Sequence, residues 1–200
     1  MTQQLGASDA ALRAKAACTL RERDGDAAAA TDALVALLAD DTPVDAALCG
    51  ERWGRGLRPV PTSPGEQAAA ALVAIGTRAF EPLLRTMTHT AAPARRHAAW
   101  GLGALDDSRA VPALVAALSD EDAGVREQVA WALGAIGDRG AVPGLIKALG
   151  DSAPRVREQA AWALGAIGDD RAIDALLPML KDTDVKVRRQ AAWAIGAIGG

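Results

Sequence analysis

The sequence predicts an all-α fold, a right-handed α-solenoid of two-helix repeats of about 31 residues each. Trp100, Trp131, Trp162 and Trp193 follow one another at intervals of 31 residues. The sequence around the last three recurs as REQVAWALGAIGD, REQAAWALGAIGD and RRQAAWAIGAIG. Half of the residues are apolar, but alanine dominates, Tyr is absent and a single Phe occurs. Small side chains let helices approach closely, and strand-forming residues are scarce, so a sheet is disfavoured.

Each repeat is predicted to hold two antiparallel helices. In residues 138–168 a first helix is expected from about Gly140 to Leu149, with Pro143 tolerated in its first turn. After a short turn, a second helix is expected to run to Ile167 and to stop at Gly168. Diverged copies at 66–76 and 12–25 carry Ala70 and Cys18 at the Trp position, so the repeat covers nearly the whole chain.

A second recurring signature lies in the turn between the two helices. Each turn contains an Asp, and six residues later comes an Arg that directly follows a Val. The pairs are Asp120 and Arg126, Asp151 and Arg157, and Asp182 and Arg188. This spacing resembles HEAT repeats, and the ALGAIGD endings resemble the phycobilisome-lyase-type HEAT-like subfamily, over residues 5–49 and 66–199. The resemblance implies that Asp and Arg form a hydrogen-bonded ladder between adjacent turns. Ala7 before Arg13 and Thr90 before Arg95 depart from the pattern, so we expect a ladder broken at its N-terminal end.

A long insertion interrupts the regular array at about residues 40–65. Its Pro and Gly residues exclude a long helix, and its centre combines Arg52, Trp53 and Arg55. The cluster could hold an acidic or phosphorylated segment, or Trp53 could anchor a plain surface insertion. Cys18 and Cys49 lie in different repeats without ligand spacing; a disulfide between them is possible, but nothing in the sequence supports it.

We interpret residues 1–200 as a single repeat array that is truncated at one or both ends. The sequence begins inside a repeat, and its last helix has an apolar stripe with no following helix to cover it: Val187, Ala191, Ile195 and Ile198. A fragment of a longer protein is the favoured interpretation. The alternative is an end that pairs with another subunit, including a homo-oligomer formed through the C-terminal helix.

The tryptophans are predicted to lie outside the buried sector of their helices. On a helical wheel Val125, Val129 and Leu133 share one sector, and Trp131 falls well away from it, beside Glu127. The predicted site is therefore a Trp row on a concave surface with flanking charges, comprising Trp100, Trp131, Trp162, Trp193, Arg96, Glu127, Glu158 and Arg189, with Trp53, Arg52 and Arg55 beside it. The alternative is that each indole leans across small residues of the adjacent repeat and serves packing.

The composition and the absence of known motifs disfavour several classes of function. A net charge of −3 disfavours nucleic acid as a partner, and no apolar run is long enough to insert into a membrane. We identify no catalytic residue, metal site or cofactor: His89 and His97 are not followed by Glu, and His97 is expected at the surface or in the groove. A cytoplasmic location is expected.

The predicted function is a protein-interaction module or scaffold that binds a protein or peptide on the Trp-lined face. Two alternatives stay open. The family resemblance implies a subunit of a bilin-chromophore lyase, and a third possibility is a spacer or regulatory segment of a larger protein.

Overall fold

The computed structural model describes residues 2–21, 28–49 and 61–200. The chain divides into two compact units, Met1–Gly101 and Leu102–Gly200. Across the described residues the backbone forms helices and turns, with one isolated antiparallel bridge between Val44 and Thr62. The all-α prediction is therefore confirmed. No helix in this part of the chain has the length and apolar character needed to cross a bilayer.

The first unit contains helices α1 to α5 and the start of α6. Their bounds are α1 Thr2–Leu5, α2 Ala10–Arg21, α3 Thr31–Leu37, α4 Pro64–Ile75, α5 Phe80–Thr86 and α6 Ala92–Ala104, with 3-10 turns at Ala28–Ala30, Ala46–Cys49 and Gly76–Ala79. Helix α4 packs against α2 and α3, and α3 also contacts α5. Leu34, Leu38, Leu72 and Leu83 are fully buried and form the centre of this core.

The second unit repeats one helix pair along its length. Its helices are α7 Val111–Ala117, α8 Ala123–Ile136, α9 Val142–Ala148, α10 Pro154–Ile167, α11 Ile173–Leu176 and α12 Val185–Gly199; α11 continues as the 3-10 segment Leu177–Lys181. Helix α10 packs against both α8 and α12, so the second helices of successive repeats lie side by side in one layer. The first helices α7, α9 and α11 pack against the second helix of their own repeat.

Local chemistry explains where these helices begin and end. The Asp122 carboxylate accepts a hydrogen bond from the Val125 backbone N–H and caps α8 at its first turn. At the other end, Gly137 and Gly168 adopt left-handed conformations with φ of 71° and 69°, which side chains other than glycine adopt at a cost. The predicted stop at Gly168 is confirmed.

The predicted buried stripe also forms. Val125, Val129, Ala132 and Leu133 are all fully buried. Apolar burial at about 25 cal/mol per Å² is the main force that holds successive repeats together.

In the last repeat the expected exposed stripe is only partly found. Val187 and Ala191 are fully buried, because α12 packs against α10 and against the segment Leu177–Lys181 of its own repeat, whereas Ile195 and Ile198 are partly exposed. The large apolar side chains that α12 exposes are Val185, at 64%, and Trp193, at 48%.

The predicted ladder of Arg and Asp runs through the second unit. Arg126 donates hydrogen bonds to both carboxylate oxygens of Asp151, at 2.7 and 2.9 Å, and to the Asp120 carbonyl at 2.8 Å. Arg157 makes the same bonds to Asp182 and to the Asp151 carbonyl, each at 2.8 Å. Each Arg therefore joins the turn of its own repeat to the turn of the next one, and two-pronged charge-assisted bonds of this kind are strong.

The expected break in the ladder at Arg13 is a wrong prediction. Arg13 donates to the Asp40 carboxylate at 2.7 Å and to the Ala7 carbonyl at 2.7 Å. Arg13 bonds to the carboxylate of the next turn and, in its own turn, only to backbone carbonyls. Ala7 supplies such a carbonyl as well as an Asp would, so the hydrogen bonds of Arg13 form without a carboxylate at position 7.

At the second departure, the ladder position is taken by His89 rather than by Thr90. Its Nδ1 accepts a hydrogen bond from the Ala91 backbone N–H at 3.0 Å. Asp120, Asp151 and Asp182 accept the equivalent bond in their own turns. An imidazole nitrogen can thus replace the carboxylate in the turn, because this bond needs only an acceptor.

The base of the insertion is closed by backbone hydrogen bonds and holds a disulfide that the sequence had left open. The Val44 and Thr62 backbones exchange hydrogen bonds at 2.7 and 3.0 Å and close the insertion at its base. Cys49 lies in the 3-10 turn Ala46–Cys49, which packs against α2, and it forms a disulfide with Cys18. The sequence could not show this pairing, because the path of the insertion back to α2 is not encoded in any periodic pattern.

Candidate functional site

Three of the predicted tryptophans lie on the second-helix layer of the second unit. Trp131, Trp162 and Trp193 occupy the same position of α8, α10 and α12. Trp131 and Trp162 are partly buried, and Trp193 is 48% exposed. The row thus keeps indole surface accessible along the layer.

Each indole also contacts the preceding repeat through one edge of its six-membered ring. A Cβ atom on Gly134 or Gly165 would lie 2.7 Å from Cζ3 of Trp162 or Trp193, and one on Gly103 would lie 3.0 Å from Cζ3 of Trp131. The absence of a side chain at these glycines makes room for the ring. Packing and exposure therefore coexist in one side chain, and the ring is held in a fixed orientation.

A row of glutamines accompanies the tryptophans, and the sequence interpretation missed it. Gln128, Gln159 and Gln190 precede the three tryptophans by three positions, which places each Gln beside its Trp on the helix surface. Within the described part of the chain, neither these carboxamides nor the three indole N–H groups form a hydrogen bond, and all remain accessible to solvent. Their 31-residue recurrence was visible in the sequence, but recurrence alone does not separate free polar groups from bonded ones.

A groove of about 500 Å³ opens at the N-terminal ends of the same three helices. Small residues and charged residues of both signs line it: Ala123, Gly124, Glu127, Ala153, Pro154, Arg155, Glu158, Asp184 and Lys186. Glu127 and Glu158 lie one helical turn before Trp131 and Trp162, so the groove borders the Trp row.

The charged side chains beside the Trp row make weak contacts or are exposed. Arg155 is 77% exposed, and its Nη1 lies 3.9 Å from the Glu127 carboxylate. Arg189 is exposed and occupies the helical position of Glu127 and Glu158, so the sign of the charge reverses along the row. Such weak contacts leave the side chains available to another molecule, since exposed ion pairs contribute about 0–1 kcal/mol.

The predicted site residues of the first unit are differently placed. Arg96 donates two hydrogen bonds to the Asp41 carboxylate, at 2.9 and 2.8 Å, and is therefore engaged within its own unit. Trp100 is partly buried. The predicted insertion residues Arg52, Trp53 and Arg55 lie outside the described residues.

His97 is buried, which corrects its expected surface position. It is 5% exposed, its Nδ1 lies 2.8 Å from the Leu38 carbonyl, and its Nε2 is buried without a hydrogen-bond partner. Gly65 makes room for the ring, because a Cβ atom there would lie 2.7 Å from Nδ1. Burial lowers the pKa of His97, and the Leu38 carbonyl and the Asp41 carboxylate oppose this effect.

Two carboxylates of the ladder also have lowered pKa values. Hydrogen bonds from Arg126 and Arg157 lower the pKa of Asp151 and Asp182 respectively. Among the described residues, no group of three or more His, Cys, Asp or Glu side chains is arranged to hold a metal ion.

The repeated helix pairs and the ladder define an α-solenoid repeat protein. A sequence profile described as HEAT repeats matches residues 80–153 and 142–200, which together exceed half of the chain. The chain therefore belongs to the HEAT-repeat family. No curated protein sequence matches it.

Solved structures agree with this assignment. The structure of the complex of CpcE and CpcF of phycocyanin lyase from Nostoc sp. PCC7120 contains a chain with 30% identity and a TM-score of 0.59, over 100% of this chain and 76% of that one. An engineered protein aligns with 25% identity and a TM-score of 0.60, over 98% and 94% of the two chains. Yeast importin-β aligns with 16% identity and a TM-score of 0.69, and this chain spans 30% of its length. The importin likeness concerns the fold alone.

Proposed function

We propose that residues 102–200 form a binding module that holds a polypeptide segment along the face of Trp131, Trp162 and Trp193. The observation that carries this proposal is the row of accessible indoles, one per repeat, beside a groove of about 500 Å³. Large aromatics are costly to leave in water, and Trp is enriched at the centres of protein interfaces. Its two χ angles give a large contact area for a small loss of conformational entropy.

The charged margin of the face supports a polypeptide rather than a polyanion. Glu127 and Glu158 border the groove, together with Arg155 and Lys186. Phosphate backbones are bound by dense rows of Lys and Arg, which this face does not have. Side chains of both signs instead match a partner of mixed composition.

The test uses peptides selected from a random dodecapeptide display library against the full chain. We expect the double variant Trp131→Ala, Trp162→Ala to lose binding of the selected peptides. Leu177→Ala is the matched control, because it removes a 48% exposed apolar side chain from the same unit but from the first-helix side. Retained binding by the double variant contradicts the proposal.

A second variant separates binding from packing, because the indoles also contact the preceding repeat. Ala166 is exposed one helical turn after Trp162, and a Cys placed there can be labelled with a bulky maleimide. We expect the labelled protein to keep its melting temperature and lose the peptides. Unchanged peptide binding after labelling would place the binding surface elsewhere.

A second candidate function is supported by the relative of 30% identity, which comes from the complex of CpcE and CpcF of phycocyanin lyase. Under this proposal the chain is one subunit of a bilin-chromophore lyase. Coexpression with a bilin and its acceptor protein tests it, and the absence of a covalent adduct refutes it.

Self-association through α12 stays a prediction that can be measured in the same preparation. Val185 and Trp193 supply its exposed apolar surface. Sedimentation of wild type and Val185→Ser reports it, since a dimer held by this face should dissociate in the variant.

A further inference from the structure

We propose that the Trp-lined face recognises the main chain of an extended polypeptide through a double row of hydrogen-bonding groups. The groups are the carboxamides of Gln128, Gln159 and Gln190 and the indole N–H groups of Trp131, Trp162 and Trp193. This inference rests on the proposed function and adds the chemistry by which the partner is held.

The unpaired state of these groups is the first observation. Across the described residues they make no hydrogen bond within the protein, although two of the three tryptophans and all three glutamines are partly buried. Elsewhere in the same unit the turn aspartates and the Arg guanidinium groups are bonded to one another. The ladder groups thus satisfy one another, whereas the carboxamides and indole N–H groups of this face stay available.

The second observation is the match of donors and acceptors. A Gln carboxamide supplies an acceptor oxygen and two N–H donors, and an indole supplies one further donor. One peptide unit supplies a carbonyl acceptor and an N–H donor. A Gln and Trp pair can therefore bond to both the N–H and the carbonyl of one peptide unit, whatever side chains the partner carries.

The repeat spacing sets which residues of the partner are held. Helices packed side by side lie about 8–10 Å apart. An extended chain advances about 3.3 Å per residue, so successive repeats meet every third residue of the partner. Three repeats then span about seven residues, and a dodecapeptide is long enough to reach all three.

The indole donors are held in place before any partner arrives. Each ring lies against the space left by Gly103, Gly134 or Gly165, where an added Cβ atom would come within 3.0 Å of it. Groups that are already oriented lose less entropy on binding. Glu127, Glu158 and Arg189 lie beside this row and select among partners by charge, whereas the double row holds any extended chain.

The test is an ester scan of one peptide selected from the dodecapeptide library. Each ester removes one main-chain N–H and weakens one carbonyl acceptor while it keeps the side chain. We expect the dissociation constant measured by fluorescence anisotropy to rise about fivefold or more at every third position and to change little between them.

Substitutions on the protein side complete the test. Gln128→Met with Gln159→Met keeps side-chain size and removes the carboxamides, and we expect about tenfold weaker binding. Gln4→Met is the control, because Gln4 is an exposed glutamine of the first unit. The circular dichroism spectrum and melting temperature of both variants should equal those of wild type.

The outcomes separate the two proposals. A period of three in the ester scan, together with weakening by the Gln substitutions, supports main-chain recognition. Peptides that depend on the tryptophans but tolerate every ester and both Gln substitutions overturn it and leave polypeptide binding standing. Failure to select any peptide with the wild-type chain overturns both.

Discussion

The glycines beneath the tryptophans offer a sharp test, because one glycine of the series has an open environment. Gly134 and Gly196 occupy the same position of α8 and α12. A Cβ atom on Gly134 would lie 2.7 Å from both the Ala163 Cα and Cζ3 of Trp162, whereas one on Gly196 would meet nothing within 4 Å. The same substitution to Ala should therefore have opposite effects at the two positions.

The expected magnitudes follow from two opposing contributions. Ala in place of Gly inside a helix stabilises by about 1 kcal/mol, and Gly196→Ala should show this gain. Overpacking costs about 1–3 kcal/mol, and the contact at Gly134 involves backbone that cannot rotate away. We expect Gly134→Ala to be destabilising by up to about 2 kcal/mol after the helix gain is subtracted.

Chemical denaturation followed by circular dichroism at 222 nm measures both variants beside wild type. At about 2–4 °C per kcal/mol for a chain of this size, thermal melting should show the same opposite signs. A stabilised Gly134→Ala would refute the account, because it would mean that the Trp162 ring and its neighbouring helix are not held against that glycine.

Four further outcomes are expected. Asp106 has a left-handed φ of 53°, and the equivalent position of the next two repeats is occupied by Gly137 and Gly168. Asp106→Gly should therefore raise the free energy of unfolding by about 1 kcal/mol in the same denaturation assay. The pKa of Asp151 is lowered by its bond from Arg126, so wild type should lose stability progressively as pH falls below about 4, the ordinary value of an Asp, and Asp151→Asn should lose part of this dependence. Burial lowers the pKa of His97, so the folded state binds fewer protons than the unfolded one; stability should fall as pH drops below about 6.5, less steeply in His97→Gln. Reduction of the disulfide, which joins residues 31 apart, should cost about 3–4 kcal/mol in the chain-entropy account, and Cys18→Ala should make the protein insensitive to reductant.

Each of these outcomes can fail independently. An unchanged or lower midpoint for Asp106→Gly would show that the aspartate makes a local contact worth more than the strain. Identical acid titrations of wild type and His97→Gln would mean that another group governs the loss near neutral pH. A melting temperature unaffected by reductant would argue that Cys18 and Cys49 are not joined in solution.

Much of the fold was readable from the sequence because the repeat supplies the same information several times. Val125, Val129 and Leu133 share one sector of α8, and glycines such as Gly137 and Gly168 mark the ends of second helices. The Asp and Arg ladder was predicted from the family resemblance, and Arg126 and Arg157 form it. Errors arose where a contact joins segments that no period relates, as with Cys18 and Cys49 or His97 and Gly65.

In the candidate site, too, local features were predictable and contacts between distant segments were not. The wheel correctly separated Trp131 from the fully buried sector, because helical geometry alone decides which residues share a face. It could not show that the ring also rests on Gly103, since that contact depends on the distance between two repeats. Nor could it single out Gln128, Gln159 and Gln190, because a free carboxamide is recognised only when every possible partner has been located.

The sequence by itself thus determined the repeat, its two helices, the buried stripe and the residue types on each face, all of which follow from local periodicity and capping chemistry. Within the described residues, the tertiary structure decided how deeply Trp131, Trp162 and Trp193 are buried, which Arg meets which Asp, where the insertion returns to α2, and which polar groups remain unpaired. These properties depend on the approach of segments far apart in the chain. A periodic sequence pattern carries no information about that distance, which is set by the close packing of the helices.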